Sequence, residues 1–244
     1  MNFKLGLCSI SFRSLSPIEI IENMKKTGLS YIEWGSDVHA PIEKVEEIAR
    51  LQKQHNITCC SYGTYFVLGQ TPLSELKKYI DAAKVLGTNI LRLWCGNKNS
   101  EEFSEEEKAQ LFTECKLAAK IAEEMDAILC MECHNNTYTN TAKSALELMK
   151  TVDSDCFKMY WQPNQFKSEQ ENLDNACLLS KYTKNIHVFN WEGDKRHPLS
   201  GAKTVWQKYL TYFEDDKQLL LEFMPDDKIE SLKTETQALK EIVG

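Results

Sequence analysis

Four side chains in the second half of the chain offer donors suited to one metal ion: Glu132, Gln162, His187 and Glu222. Two carboxylates, an imidazole and an amide suit a hard or borderline divalent cation, Mn²⁺, Mg²⁺, Co²⁺ or Zn²⁺. Glu132 stands in Leu-Cys-Met-Glu-Cys and Glu222 in Leu-Leu-Leu-Glu-Phe. A carboxylate in so apolar a run faces burial, where it must be paired, protonated or metal-bound. Arg92 offers either glutamate a structural ion pair instead. A lone strand histidine is more often a hydrogen-bonded core residue, but His187 falls between two carboxylate-bearing segments, which favours a ligand. Glu132 and Glu222 also make a candidate acid/base pair for moving a proton.

The gaps between these four residues are 30, 25 and 35, each about one strand-plus-helix unit. The elements that must position them alternate along the whole chain. Short β-rich runs fall at 3–8, 31–34, 57–61, 89–94, 127–133, 157–162, 185–191 and 218–223, each followed by a longer amphipathic run. Helix starts carry recognisable signals. Ser16-Pro17-Ile18-Glu19 has capping-box residues with Pro at the first helical position, and Ser104 with Glu107 forms a second box inside an acidic stretch. Eight such units predict an α/β fold, a (β/α)8 TIM barrel spanning 1–244 as one domain. An open doubly wound sheet would typically carry a Gly-rich turn after its first strand, and here that turn is Ser9-Ile10-Ser11-Phe12. Barrel enzymes place their chemistry at the C-terminal ends of the strands, where all four donors fall.

On these residues the chain resembles the xylose isomerase-like barrels, specifically the sugar phosphate isomerase/epimerase family. The resemblance rests on Glu132-Cys133-His134 ending the fifth strand, Trp161-Gln162-Pro163 the sixth, His187-Val188-Phe189-Asn190 in the seventh and Glu222 in the eighth. It implies one metal held by Glu132, Gln162, His187 and Glu222, with the two glutamates moving the proton. Gln162 stands where the family has Asp, and Gln165 where epimerases often place a substrate-binding His. The site then has two formal negative charges instead of three and holds its cation less tightly.

The resemblance implies a small sugar or hydroxy-ketone as substrate, isomerised or epimerised through an enediolate. His134, Gln165, Trp94, Lys195 and Arg196 are the candidate substrate-binding residues. Trp34, Tyr65, Phe66, Trp94, Trp161 and Trp191 are candidates to wall off water, or else ordinary barrel-mouth packing. Met224-Pro225-Asp226-Asp227, with two acids and no Gly after strand eight, makes a poor phosphate cradle and favours an unphosphorylated substrate. The alternative from another class is a non-catalytic sugar-binding barrel with a degenerate metal site, favoured by Gln162.

The composition excludes other classes. Lys and Arg number 29 and Asp and Glu 36, a net charge of −7, which disfavours a nucleic-acid partner. Only five histidines are present, too few strand-end ligands for the multi-metal cluster of a DNA-repair endonuclease of this fold. Lys158, early in strand six, is poorly placed for a Schiff-base aldolase. Nine cysteines without regular spacing read as free thiols in a reducing compartment. The absence of a signal-peptide pattern and of an 18-residue apolar run predicts a cytoplasmic protein without a membrane segment. Relatives of the resembled family form dimers or tetramers, so the resemblance also allows a homo-oligomer.

Overall fold

The computed structural model describes residues 3–214 and 216–244. Eight parallel strands close into a barrel: β1 (Lys4–Cys8), β2 (Tyr31–Gly35), β3 (Thr58–Leu68), β4 (Ile90–Cys95), β5 (Ile128–Glu132), β6 (Phe157–Trp161), β7 (Thr183–Val188) and, after a short hairpin, β10 (Gln218–Leu221). β10 pairs with both β1 and β7, which seals the cylinder. The hairpin joins β8 (Trp191–Glu192) to β9 (Lys195–Arg196). Eight main helices form the outer layer: α1 (Pro17–Thr27), α2 (Val45–Gln54), α3 (Leu76–Val85), α4 (Glu105–Glu124), α5 (Ala142–Val152), α6 (Glu169–Leu179), α7 (Lys203–Leu210) and α8 (Leu232–Val243).

The local signals in the sequence explain much of this. α1 and α4 begin with the capping boxes of Ser16–Glu19 and Ser104–Glu107, and Ser168 with Glu171 does the same for α6. Each box satisfies backbone N–H groups that the first turn leaves unpaired. Strand residues such as Leu91, Leu129, Ile186 and Leu219 are fully buried under the helices.

Three boundaries differ from the sequence reading. β3 runs on to Leu68, because its second half pairs Val67 and Leu68 with Trp94 and Cys95. β7 ends at Val188, and Trp191 belongs to the hairpin. β10 ends at Leu221, and Phe223 adopts φ +56°. That left-handed conformation breaks the extended backbone just past Glu222.

Successive strand residues point to opposite faces, and this relocates three aromatics expected at the mouth. Glu33 points into the barrel, so Trp34 points out and donates to Gln52 Oε1 at 2.9 Å. Tyr160 lies against the His187 ring, so Trp161 packs outward on Trp206, Tyr209 and Phe213. Phe66 is buried against Tyr79. Among the described residues no helix is long and apolar enough to cross a membrane, and the nine thiols are free.

Candidate active site

A cavity of ≈ 500 Å³ opens at the C-terminal end of the barrel. Its floor is formed by Arg92, Glu132, Gln162 and Glu222, and its walls by Tyr65, Trp94, His134, Gln165, Trp191 and Phe223.

His187 lies buried beneath the floor, against three of its residues. Strand β7 places it opposite Leu220 of β10, with no exposure to solvent. Three oxygens surround its Nδ1: Gln162 Oε1 at 3.0 Å, Glu222 Oε2 at 3.3 Å and Glu132 Oε1 at 3.4 Å. The four residues expected to converge from successive strands therefore do so around one nitrogen. Cys8, not expected there, also offers a donor atom within 4.8 Å of donors on His187 and Glu222.

The Gln162 amide is oriented by its surroundings. Its Nε2 donates to the Cys133 carbonyl at 3.0 Å. A carbonyl only accepts, so the amide oxygen must face His187. A carboxylate at this position would instead oppose the Cys133 oxygen.

Glu33 lies beneath, joined to the floor by Arg92. Arg92 donates from Nη1 to Glu132 Oε2 at 2.7 Å and from Nε to Glu33 Oε1 at 3.0 Å, all three residues being buried. The ion pair that Arg92 offered Glu132 thus exists. It uses one carboxylate oxygen and leaves the other beside His187. Glu132 Oε2 also accepts from the Trp94 indole N–H. Glu33 was not among the residues singled out from the sequence. Tyr31-Ile32-Glu33-Trp34 carries the same signal as Glu132 and Glu222, a carboxylate inside an apolar strand.

These contacts push the carboxylates apart electrostatically. Burial alone would raise every carboxyl pKa. For Glu132 the Arg92 guanidinium and His187 outweigh burial and hold it well below the ordinary value. Glu33 is held down in the same way by Arg92, His187 and Ser61. Glu222 has no partner as close as Arg92 is to Glu132. Burial dominates there, helped by Glu132 and Glu33, and its pKa is pushed up to about 6. Burial presses the His187 imidazole down, but Glu222, Cys8, Glu132 and Glu33 overcome it and hold it well above the usual range.

His187 Nδ1 lies close enough to an oxygen of Gln162, Glu222 and Glu132 to share a divalent ion with any one of them. Among the described His, Cys, Asp and Glu side chains, the set whose donor atoms all lie within 4.8 Å of one another is Cys8, His187 and Glu222, so Glu132 would have to move closer to join it. Atoms sharing an ion about 2.1 Å away lie about 3.0 Å apart in an octahedron and about 3.4 Å apart in a tetrahedron. The separations from Nδ1 span this interval. Mutual repulsion of Glu132 and Glu222 is what a shared cation would relieve.

The candidate substrate residues divide. His134 is exposed, lies tilted against Trp94 with ring centroids 5.6 Å apart, and lines the cavity. Gln165 lines it too, and its carbonyl accepts from Gly193 N–H at 3.0 Å, tying the loop after β6 to the hairpin. Lys195 and Arg196 are outside the lining. The Arg196 guanidinium lies 4.8 Å from the ring centroids of both Trp191 and Phe223 and pairs with Asp227, so it braces the wall from behind. Arg13, not singled out from the sequence, lines the mouth and contacts Asp37 and Tyr65.

The family model described as xylose isomerase-like TIM barrel matches residues 21–217. A 3-dehydroshikimate dehydratase of Bacillus anthracis is 27% identical over 204 residues, covering 77% of this chain and 71% of that protein. Among solved structures, the probable 3-DHS dehydratase involved in petrobactin synthesis from B. anthracis superposes with TM-score 0.79 at 16% identity, covering 99% of both chains. D-psicose 3-epimerase from Clostridium cellulolyticum, solved with D-tagatose, gives 0.66 at 13% identity over 99% of this chain and 97% of that one. A barrel protein from Mycobacterium smegmatis in complex with magnesium gives 0.71 at 11% identity over 99% and 98%.

Proposed function

The chain belongs to the xylose isomerase-like TIM barrel family, and from that premise we propose that it is a divalent-metal-dependent isomerase or epimerase of a small sugar or hydroxy-ketone. The observation that carries this reading is the unequal pair of glutamates beside His187 Nδ1. Glu132 is held ionised by Arg92, whereas Glu222 is poised at about 6. Two carboxyl groups with separated pKa values in one cavity mark an acid/base site.

Glu132, Gln162, His187 and Glu222 would hold the ion, and when bound it supplies the electrophilic pull that acidifies a C–H beside the substrate carbonyl. Glu222, ionised near neutral pH, takes that proton and leaves an enediolate. Returning the proton to the neighbouring carbon, with the hydroxyl proton passing to the former carbonyl oxygen, isomerises the substrate. Returning one to the same carbon from the other face epimerises it; Glu132, held as an anion by Arg92, would have to take that proton from water before delivering it. His134, Gln165 and Trp94 line the space where substrate hydroxyls would sit, and Trp191 with Phe223 limits water access.

A second reading, dehydration, is favoured by one specific observation: the 27% identical relative is a 3-dehydroshikimate dehydratase. The first step is shared. Glu222 takes the proton beside the carbonyl and then passes it to the departing β-hydroxyl, so that water leaves. This route does not require Glu132 to act as an acid against Arg92.

The test is incubation of the Mn²⁺-loaded protein in D₂O with a panel of ketoses, hydroxy-ketones and 3-dehydroshikimate, followed by NMR and mass spectrometry. Deuterated isomer or epimer supports the first reading, and an unsaturated product short of one water supports the second. Sugar binding without exchange, with metal bound, would identify a non-catalytic sugar-binding barrel.

A further inference from the structure

We propose that Glu33 is a positioning residue that fixes the tautomer and orientation of His187, making a carboxylate–histidine–metal relay across the barrel floor. This rests on the metal-binding reading of the site.

A neutral imidazole has one N–H and one lone pair. With a cation bound among the three oxygens at Nδ1, that nitrogen would give the ion its lone pair, and the proton would then sit on Nε2. That nitrogen is fully buried and has no hydrogen-bond partner of good geometry. The carboxylate facing it is Glu33, with Oε1 3.5 Å away. A ligating histidine ordinarily donates its distal N–H to a carboxylate, carbonyl or water. Glu33 is the group in place to accept it.

Glu33 is itself held from three sides. Arg92 Nε donates to Oε1 at 3.0 Å, Ser61 Oγ donates to Oε2 at 2.7 Å, and the Cys8 thiol donates to Oε1 at 3.3 Å. Strand register delivers these partners. Cys8 pairs with Glu33 across β1 and β2, and Glu33 with Ser61 across β2 and β3. A register shift after Ile32 is what brings Ser61 opposite it. The fold also leaves room for the pair at Gly63, where a Cβ would lie 2.6 Å from Glu33 Oε1 and 3.1 Å from an Arg92 Nη2. Any larger residue there would displace the carboxylate or the guanidinium. Arg92 spans Glu33 and Glu132, so one guanidinium aligns both a ligand carboxylate and the carboxylate behind the ligand histidine.

The test compares wild type, Glu33→Gln and Ser61→Ala. Mn²⁺ affinity is measured by calorimetry, and the His187 Nε2–H resonance by NMR on the Co²⁺-loaded proteins. Glu33→Gln should weaken Mn²⁺ binding about 10–100-fold and shift the N–H resonance. Ser61→Ala, which loosens Glu33 but keeps its charge and the Arg92 pair, should shift the same resonance with a smaller loss of affinity. It decides the matter if Glu33→Gln does not fold. Full Mn²⁺ affinity with an unmoved resonance in Ser61→Ala and in any folded Glu33→Gln would overturn the role of Glu33 and leave the metal site standing. Failure of the wild type to bind Mn²⁺ or Co²⁺ would overturn both.

Discussion

Arg92 Nη1 lies 2.7 Å from Glu132 Oε2, and the pair is buried at both ends. A charged pair without solvent is stable only while both members are present. Replacing Arg92 by Met would leave the buried Glu132 and Glu33 without the guanidinium that compensates them most. Arg92→Met should lose about 3–5 kcal/mol of stability at neutral pH, read from urea unfolding. Part of that loss should return at low pH, where the two carboxyls are neutral.

In the proposed mechanism Glu222 is the base. Glu222→Gln removes the base and one ligand while keeping the side-chain shape. Substrate-dependent deuterium exchange should fall by at least about 10²-fold, with an unchanged circular dichroism spectrum. Retained exchange would move the base elsewhere.

The same group sets a pH dependence. Its pKa is raised to about 6, so the basic form is lost as pH falls through that value. Proton exchange should be lost at acidic pH, where Glu222 is protonated, and a bound cation should carry that loss to a lower pH. Metal affinity should follow the same direction, because protons at Glu222 and His187 compete with the cation. Calorimetry in buffers of different ionisation enthalpy should show proton release on Mn²⁺ binding.

Metal binding should also stabilise the fold. A ligand that binds only the folded state at about 100 times its Kd adds about 2.7 kcal/mol. Mn²⁺ should therefore raise Tm in the wild type, EDTA should reverse the shift, and Glu222→Gln should show little of either.

Gln162 tests the charge count. Gln162→Asp adds a third carboxylate to the donor set, and Mn²⁺ should bind about tenfold or more tightly. Without metal the same variant should be less stable than wild type, because its oxygen would face the Cys133 carbonyl that Gln162 Nε2 satisfies at 3.0 Å.

The chain's own pattern was enough to specify eight strand–helix units and to put Glu132, Gln162, His187 and Glu222 at successive strand ends. Apolar periodicity and capping residues are local properties, and a closed parallel barrel leaves the C-terminal strand ends nowhere to go but one rim. That is why these four residues could be named from their spacing, and why they meet around His187 Nδ1. Other features depend on residues distant in sequence and on their packing. Glu33 reaches the site because a register shift in β3 sets Ser61 opposite it and because Gly63 leaves space for Arg92. Lys195 and Arg196 looked like substrate cations, but the hairpin turns Arg196 onto Trp191 and Phe223, behind the cavity wall. The carboxylates themselves are visible in the sequence. Which is pinned as an anion and which is poised near neutrality was decided only by the fold, because one guanidinium, buried between β2 and β5, reaches Glu33 and Glu132 at hydrogen-bonding distance and leaves Glu222 without so close a partner.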